Sequence, residues 1–383
     1  MAGIYIHIPF CKKACNYCNF HFSTSLRYKD DLILALLKEI DLTVSNLASI
    51  ENNFDLIEQI DTIYFGGGTP SLLKQEELNS IIDKLKSVFI ISEDAEISIE
   101  ANPDDITEEK LIEWKKAGIN RLSIGIQSFY QEDLAWMNRA HNQEQATQCI
   151  ELAQKNGFHN ISIDLIYGTP LLTNAKWESN VKKALAYHIP HLSCYALTVE
   201  PKTLLNKLIE QKKSADVDPD QQSEQFVLLM NWLKEAGYEH YEISNFAKPG
   251  NRSRHNSSYW QRKKYFGFGP SAHSFDGQNR QWNIANNNIY METIHEGRIP
   301  FEKEILTHTQ RMNEFIMISL RTMEGLNLKI FENMTAQKNK ENLLHSAKKY
   351  INSSLLKIEN DQLILTNEGK LLADGIAADL FLD

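Results

Sequence analysis

The 383 residues predict an α/β fold: an incomplete (β/α)6 parallel barrel followed by a mainly helical, winged-helix-like C-terminal domain. Three observations carry this. Strand-like and helix-like segments alternate from the first residues to about residue 200, which implies a parallel sheet with right-handed crossovers. Six such repeats suit a curved, open barrel better than a full eight-fold one. After about residue 307 the alternation stops, and helices surround one short hairpin and end in a final helix.

The elements follow in order. The first strand is Gly3–Ile8, and Leu26–Leu47 carries Leu32, Leu36, Leu37 and Ile40 at helical spacing. Asp61–Phe65 is the second strand, closed by the run from Gly66 to Pro70, and Gln75–Phe89 is helical. Ala95–Glu100 alternates as a third strand and runs into Asn102-Pro103; the helix Thr107–Ala117 follows, with Thr107 as its cap. Then come strand Arg121–Ile126, helix Gln143–Asn156, strand Ile161–Tyr167, helix Lys176–His188 and strand Leu192–Val199. Pro201–Pro219 reads as a connector with a Lys-rich helix inside it, Gln221–Ala236 as a helix and Tyr238–Asn245 as a strand. From Ala247 to Asn288 the chain is polar, aromatic and punctuated by glycine. Helices Gln310–Arg321, Leu328–Phe331 and Asn339–Ser354, the hairpin Leu356–Leu365 and the helix Asn367–Phe381 complete it. The expected domains are 1–200, 201–306 and 307–383.

Composition limits the function classes. Hydrophobic residues are 42% and charged residues 23%, typical of a soluble globular protein with ample core. Lys and Arg number 40 against 50 Asp and Glu, a net charge of −10, which argues against a nucleic-acid binder or a polybasic membrane-surface protein. No apolar run reaches the roughly 18 residues of a membrane span, and the N-terminus reads as a strand rather than a signal peptide; the expected compartment is the cytoplasm.

The chemistry-bearing residues lie at strand ends. Cys11, Cys15 and Cys18 form C-x3-C-x2-C directly after the first strand. Three thiolates on one short loop can hold three irons of a 4Fe-4S cluster and leave the fourth open. Structural zinc would want four closed ligands, and the nearest candidates are His7, in the strand, and His21, after the loop. The three successive glycines expose backbone and permit close approach, beyond what a tight turn alone needs. Glu100, Gln127 and Asp164 end the third, fourth and fifth strands and together suggest a polar ligand shell. Cys149 and Cys194 read as small buried apolar residues.

The cysteine spacing is the signature of the radical S-adenosylmethionine superfamily, which the chain resembles over most of its first 200 residues. That resemblance implies a reduced 4Fe-4S cluster able to cleave S-adenosyl-L-methionine into methionine and a 5′-deoxyadenosyl radical. It implies that Tyr17 packs near the adenine and that Gly67, Gly68 and Thr69 meet the methionine amino group. It places Arg139 in the same site and marks Tyr5 and Ala196 as weaker contacts. The stretches Tyr5–Cys11, Phe65–Pro70, Leu122–Gln127, Ile163–Gly168 and Leu365–Gly369 resemble the oxygen-independent coproporphyrinogen III oxidase-like branch, which holds both dehydrogenases and HemW-type haem chaperones.

Three features favour the chaperone side. The dehydrogenases carry a fourth cysteine where this chain has Phe20, and an N-terminal extension ahead of the first strand, which here starts at Gly3. His255-Asn256-Ser257-Ser258-Tyr259-Trp260 matches the HNxxYW motif of haem-handling members. A neutral imidazole is a good axial iron ligand, Tyr259 and Trp260 offer flat faces, and Arg252 and Arg254 lie close enough in sequence to meet propionates. His273 is a second candidate ligand, or lines the S-adenosylmethionine site instead. The implied partners are haem, client haemoproteins (membrane-associated respiratory enzymes among them) and a flavodoxin or ferredoxin reductant, with no nucleic acid. The rival is a dehydrogenase that oxidatively decarboxylates coproporphyrinogen III; radical haem degradation or methyl transfer is a weaker third.

Overall fold

The computed structural model describes residues 2–51 and 59–382. Its first half is the expected alternation: β1 (Ala2–Ile8), α1 (Lys29–Glu51), β2 (Ile60–Gly67), α2 (Gln75–Val88), β3 (Ile91–Ala101), α3 (Glu108–Ala117), β4 (Arg121–Gln127), the short α4 (Gln131–Trp136), α5 (Gln143–Lys155), β5 (Ile161–Tyr167), α6 (Asn174–Ala186) and β6 (His191–Ala196). β1 to β6 pair in parallel and in sequence order, the open six-strand barrel that the pattern predicted.

Strand alternation divides inside from outside. Ile4, Ile6, Ile8, Ile63, Phe65, Ile97, Ile99, Leu122 and Ile124 are buried in the core shared with Leu32, Leu36, Ile81, Ile82, Leu111 and Ile150 of the helices. The intervening positions are polar: Thr62 and Tyr64 on β2, Glu96, Ser98 and Glu100 on β3, Arg121 and Ser123 on β4, Ser162 and Asp164 on β5, His191 and Ser193 on β6. The barrel interior is therefore a hydrophilic column, and polar groups meet again at its mouth.

The expected strand Tyr238–Asn245 is instead a hairpin. After α7 (Leu204–Glu210) and α8 (Pro219–Glu235) come β7 (Glu239–Glu242) and β8 (Asn245–Ala247), and β8 lies antiparallel against β6. Glu242 turns the corner by accepting the backbone N–H of Ser244 and the amide of Asn245. The polar, glycine-punctuated stretch also folds into regular elements: α9 (Arg254–Trp260), β9 (Tyr265–Phe268), β10 (His273–Phe275) and β11 (Asn279–Asn283), followed by α10 (Asn287–His295) and β12 (Phe301–Ile305). β9 pairs in parallel with β1, so one sheet runs β12-β11-β10-β9-β1-β2-β3-β4-β5-β6-β8-β7.

The C-terminal region holds α11 (His308–Leu320), β13 (Leu326–Asn327), α12 (Leu328–Met334), α13 (Gln337–Asn352), the hairpin β14 (Leu356–Glu359) and β15 (Gln362–Leu365), α14 (Asn367–Lys370) and α15 (Ala373–Asp379). The predicted last helix is thus broken in two. A separate apolar core of Met312, Ile316, Phe331, Leu343, Leu363 and Ile376 supports this winged arrangement. Among the described residues no helix is long and apolar enough to cross a membrane.

Candidate functional site

The cysteine loop leaves β1 at the C-terminal edge of the barrel. Its backbone is pinned from three sides. Cys11 N–H donates to Ser23 O at 3.0 Å, Asn16 N–H to Met137 O at 3.1 Å, and Leu205 N–H to Asn16 O at 2.8 Å. The Asn138 side chain donates to Ala14 O at 2.7 Å. Cys11, Cys15 and Cys18 are half-buried free thiols, whereas Cys149 and Cys194 are buried, as expected of structural cysteines. Burial raises the Cys11 thiol, opposed by a hydrogen bond with Thr69, and burial pushes Cys18 up to about 11; each is also raised by the charge of Cys15.

The donor set fits an iron–sulfur cluster. Three soft thiols share one loop, and the Arg139 guanidinium donates to Cys15 Sγ at 3.2 Å. Arg139 Nε is buried with no hydrogen-bond partner. Among the described residues no three His, Cys, Asp or Glu side chains are gathered to hold a single metal ion. A cube relaxes that demand, since each thiolate goes to its own iron.

Next to the loop stands the turn after β2. Gly67 has φ +104°, and a Cβ there would lie 2.6 Å from the His7 ring; a Cβ on Gly68 would lie 2.6 Å from Phe10 O. The protein's own atoms therefore require these glycines, whatever ligand lies beyond. Gly67 N–H donates to Glu100 Oε2 at 3.2 Å, and Tyr64 OH donates to Oε1 at 2.8 Å. Glu100 and Asp164 sit deep in the barrel but keep some contact with solvent through the mouth. Burial pushes Glu100 up to about 7 against the hydrogen bond from Tyr64, and the Asp164 charge adds to the rise. Burial likewise pushes Asp164 up to about 6, restrained by hydrogen bonds from Ser193 and Ser123 and by the Arg121 and Arg139 charges. Two carboxyls held this way create a demand for a cation.

Gln127 has φ +63°, a strained conformation for a non-glycine residue, and ends β4 over Gly125. Arg139 Nη2 donates to Gly125 O at 2.9 Å and to Asn102 Oδ1 at 2.7 Å, and the Asn102 amide donates to Thr69 Oγ1 at 3.3 Å. A polar chain thus runs from Cys11 through Thr69, Asn102 and Arg139 to Cys15. Asn102 is a site residue that the sequence reading passed over; its signal was a polar side chain at the end of a strand, before Pro103. Tyr5 OH hydrogen-bonds with His7 Nδ1 at 3.1 Å and faces Glu100. Tyr17 packs with the apolar group of Leu134, Met137, Ile166, Leu197 and Leu205 while hydrogen-bonding with Arg139. Ala196 is exposed at the last position of β6.

His255 lies one layer below this gathering, against Tyr64. It is 1% exposed. Its Nδ1 hydrogen-bonds with Thr62 Oγ1 at 2.8 Å, its Nε2 with Tyr259 OH at 2.8 Å, and its ring stacks on Tyr64 at 5.0 Å. Burial holds it near 3, so it is neutral. Thr62 lies four residues before Gly66 on β2, about 13 Å down the barrel. His255, expected as a haem ligand, thus has both ring nitrogens hydrogen-bonded below the barrel mouth, and its N–H donates to Glu96 Oε1 at 3.0 Å. The rest of the motif is similarly committed. Tyr259 meets Tyr265 edge-on, and Arg321 covers Trp260. Arg252 pairs with Glu239 and Glu324, and Arg254 with Asp94.

An open parallel barrel with three thiols after its first strand, a glycine turn after the second and carboxylates at the mouth is the architecture of a radical S-adenosylmethionine protein. Residues 5–184 match the model of the Radical SAM superfamily, and residues 306–372 that of the HemN C-terminal domain. The fold resembles coproporphyrinogen III oxidase (HemN) from Escherichia coli with a TM-score of 0.84, over 99% of this chain and 90% of that one at 24% identity. Curated relatives narrow the class. The chain is 34% identical to heme chaperone HemW of Bacillus subtilis over 380 residues, 98% of each protein. It is 33% identical to heme chaperone HemW of Mycobacterium tuberculosis over 383 residues, 99% of this chain and 94% of that one. The chain belongs to the HemW family of radical S-adenosylmethionine proteins.

Proposed function

We propose that this protein carries haem to client haemoproteins, holding a 4Fe-4S cluster on Cys11, Cys15 and Cys18 and S-adenosylmethionine across the barrel mouth. The observation that carries this reading is the match, over 98% of both chains, to a relative named a heme chaperone. The side chains support the cofactor roles. Thr69, Asn102 and Arg139 brace the cluster loop, and Arg139 offers positive charge to thiolate sulfur. Glu100 and Asp164 would present negative charge to an ammonium or sulfonium group, and Gln127, Tyr5, Tyr17, Gly67, Gly68, Thr69 and Ala196 are the further residues proposed to contact S-adenosylmethionine. When bound and reduced, the cluster supplies an electron to S-adenosylmethionine. Flavodoxin or ferredoxin is the proposed reductant; the exposed Lys13 of the loop gives such acidic carriers a place to approach, while Lys12 beside it is paired with Asp104 and Asp105. The proposed setting is the cytoplasm, with clients that include membrane-associated respiratory enzymes.

Coproporphyrinogen III decarboxylation is the competing reading, and Phe20, 69% exposed, stands where those enzymes carry a further thiol. Two assays separate the readings. Cluster-loaded protein should transfer haem to an apo-haemoprotein, and it should release no carbon dioxide from coproporphyrinogen III under reducing, anaerobic conditions with S-adenosylmethionine. Multiple turnovers to a vinyl-bearing product would establish the dehydrogenase instead.

A further inference from the structure

Three histidines cluster on the rim formed by β1, the cysteine loop and the β9–β10 turn. His7 is buried, with Nδ1 engaged by Tyr5 OH and Nε2 by His21 O. His21 Nε2 hydrogen-bonds with Asn287 Oδ1 at 2.7 Å. His273 differs from both. It is exposed, and among the described residues no hydrogen bond reaches its ring. It opens β10 directly across from Trp282 of β11, and the two rings stack at 5.9 Å. Its position relative to the cysteine loop is set by pairing. Gly267 of β9 lies beside Tyr5 of β1, and a Cβ on Gly267 would collide with His273 O. His273 and His21 both act electrostatically on His7.

The turn that presents His273 is tied down by hydrogen bonds. Glu39 of α1 accepts Gly269 N–H at 2.8 Å and Tyr290 OH at 2.6 Å. The Asn283 amide donates to Gly269 O at 2.9 Å, and Asn283 N–H to Ala272 O at 2.9 Å. Apolar side chains stand at the neighbouring rim: Phe20, adjacent to His21, and Ile289, two residues beyond Asn287, are 69% and 43% exposed.

We propose that His273 is the axial ligand to the iron of haem carried at this rim, with Trp282 bracing the imidazole and Phe20 and Ile289 contacting the macrocycle. This deepens the haem-carrying reading above and rests on it. An accessible imidazole with both nitrogens uncommitted is what iron requires. His255 lacks this, since both of its nitrogens are taken. Burial and the Arg280 charge lower the His273 pKa, so the neutral, ligating form prevails near neutral pH.

The test is an anaerobic haem titration of full-length, cluster-loaded protein, read by the Soret band and by electron paramagnetic resonance, with iron and sulfide content confirming the fold of each variant. His273→Ala should weaken haem binding by at least about tenfold and change the Soret band and the haem resonance signal, both of which added imidazole should restore towards those of the wild type. His273→Met should bind haem with a shifted Soret band, an effect that a merely structural role would not produce. His255→Ala, if it folds, should keep the wild-type spectrum. Wild-type affinity and spectrum in His273→Ala, while the wild type binds haem, would overturn the ligand assignment alone. Failure of the wild type to bind haem at all would instead overturn the haem-carrying reading.

Discussion

At the scale of single residues, the mouth is organised around two carboxyls whose ionisation burial opposes. Glu100 and Asp164 lie within electrostatic reach of each other, and burial raises both. Below about pH 7 Glu100 takes up a proton and loses its attraction for a cationic ligand. The affinity for S-adenosylmethionine should therefore fall as pH drops through that value. Glu100→Gln should bind more weakly above pH 7 and show a flatter profile; calorimetric titration across the range checks both, and an unchanged slope would remove Glu100 from the ligand shell. The cysteines make a sharper case. Three ligands leave no spare, so Cys11→Ala, Cys15→Ala or Cys18→Ala should each abolish the reconstituted cluster. Iron and sulfide analysis after anaerobic reconstitution decides it, and stoichiometric zinc in place of iron would contradict the cluster assignment.

At the scale of elements, one buried carboxylate ties three segments together. Glu39 of α1 holds the turn after β9, Asn283 of β11 and Tyr290 of α10. Burial pushes it up to about 7, against the hydrogen bonds it accepts from Tyr290, Gly269 and Asn283. A raised carboxyl pKa means that the folded state binds a proton more tightly than the unfolded chain. Its stabilising effect is complete below about 4.5 and is lost as pH rises through about 7. The ionisation costs about 3 kcal/mol once pH reaches 7, from a shift of that size. Glu39→Gln should remove that slope while lowering stability at acid pH, because an amide N–H must then face other donors. Denaturant melts of the two proteins at several pH values measure the difference, and parallel curves would rule Glu39 out as the titrating group.

At the scale of the whole molecule, the C-terminal domain is fastened to the barrel by a compact polar seam. Arg321 donates to Glu242 Oε1 at 3.1 and 3.2 Å and to Asp374 at 2.7 Å. Lys370 Nζ meets His240 Nδ1 at 2.9 Å, and burial lowers this lysine to about 8. Backbone bonds Ile243 N–H to Arg321 O and Met323 N–H to Tyr241 O, each 3.1 Å, complete the seam. The Glu242 side chain is 2% exposed, so Arg321→Ala leaves its charge supported only by Ser244 and Asn245. The expected cost is about 2–4 kcal/mol, part of which Glu242→Gln in the same chain should recover. A double-mutant cycle by chemical denaturation tests this, and a loss below about 0.5 kcal/mol for the single variant would show that the seam does not depend on the ion pair.

The β–α order, the cysteine loop, the glycine turn and the polar strand ends were legible in the chain because each depends on local spacing: period-2 or period-3.6 patterning and ligands a few residues apart. The tertiary structure alone decided what depends on distant pairing. β9 to β12 are strands of three to five residues in a glycine- and asparagine-rich stretch, and β9 exists as a strand because β1, some 260 residues earlier in the chain, offers it an edge. The HNxxYW segment has the composition of a haem contact, yet Thr62, Glu96 and Tyr64 draw it below the barrel mouth. His273, a histidine among glycines in sequence, stands free on the rim. Which imidazole has its nitrogens satisfied is a matter of burial and partner geometry, and these come into being only when strands far apart in sequence lie side by side.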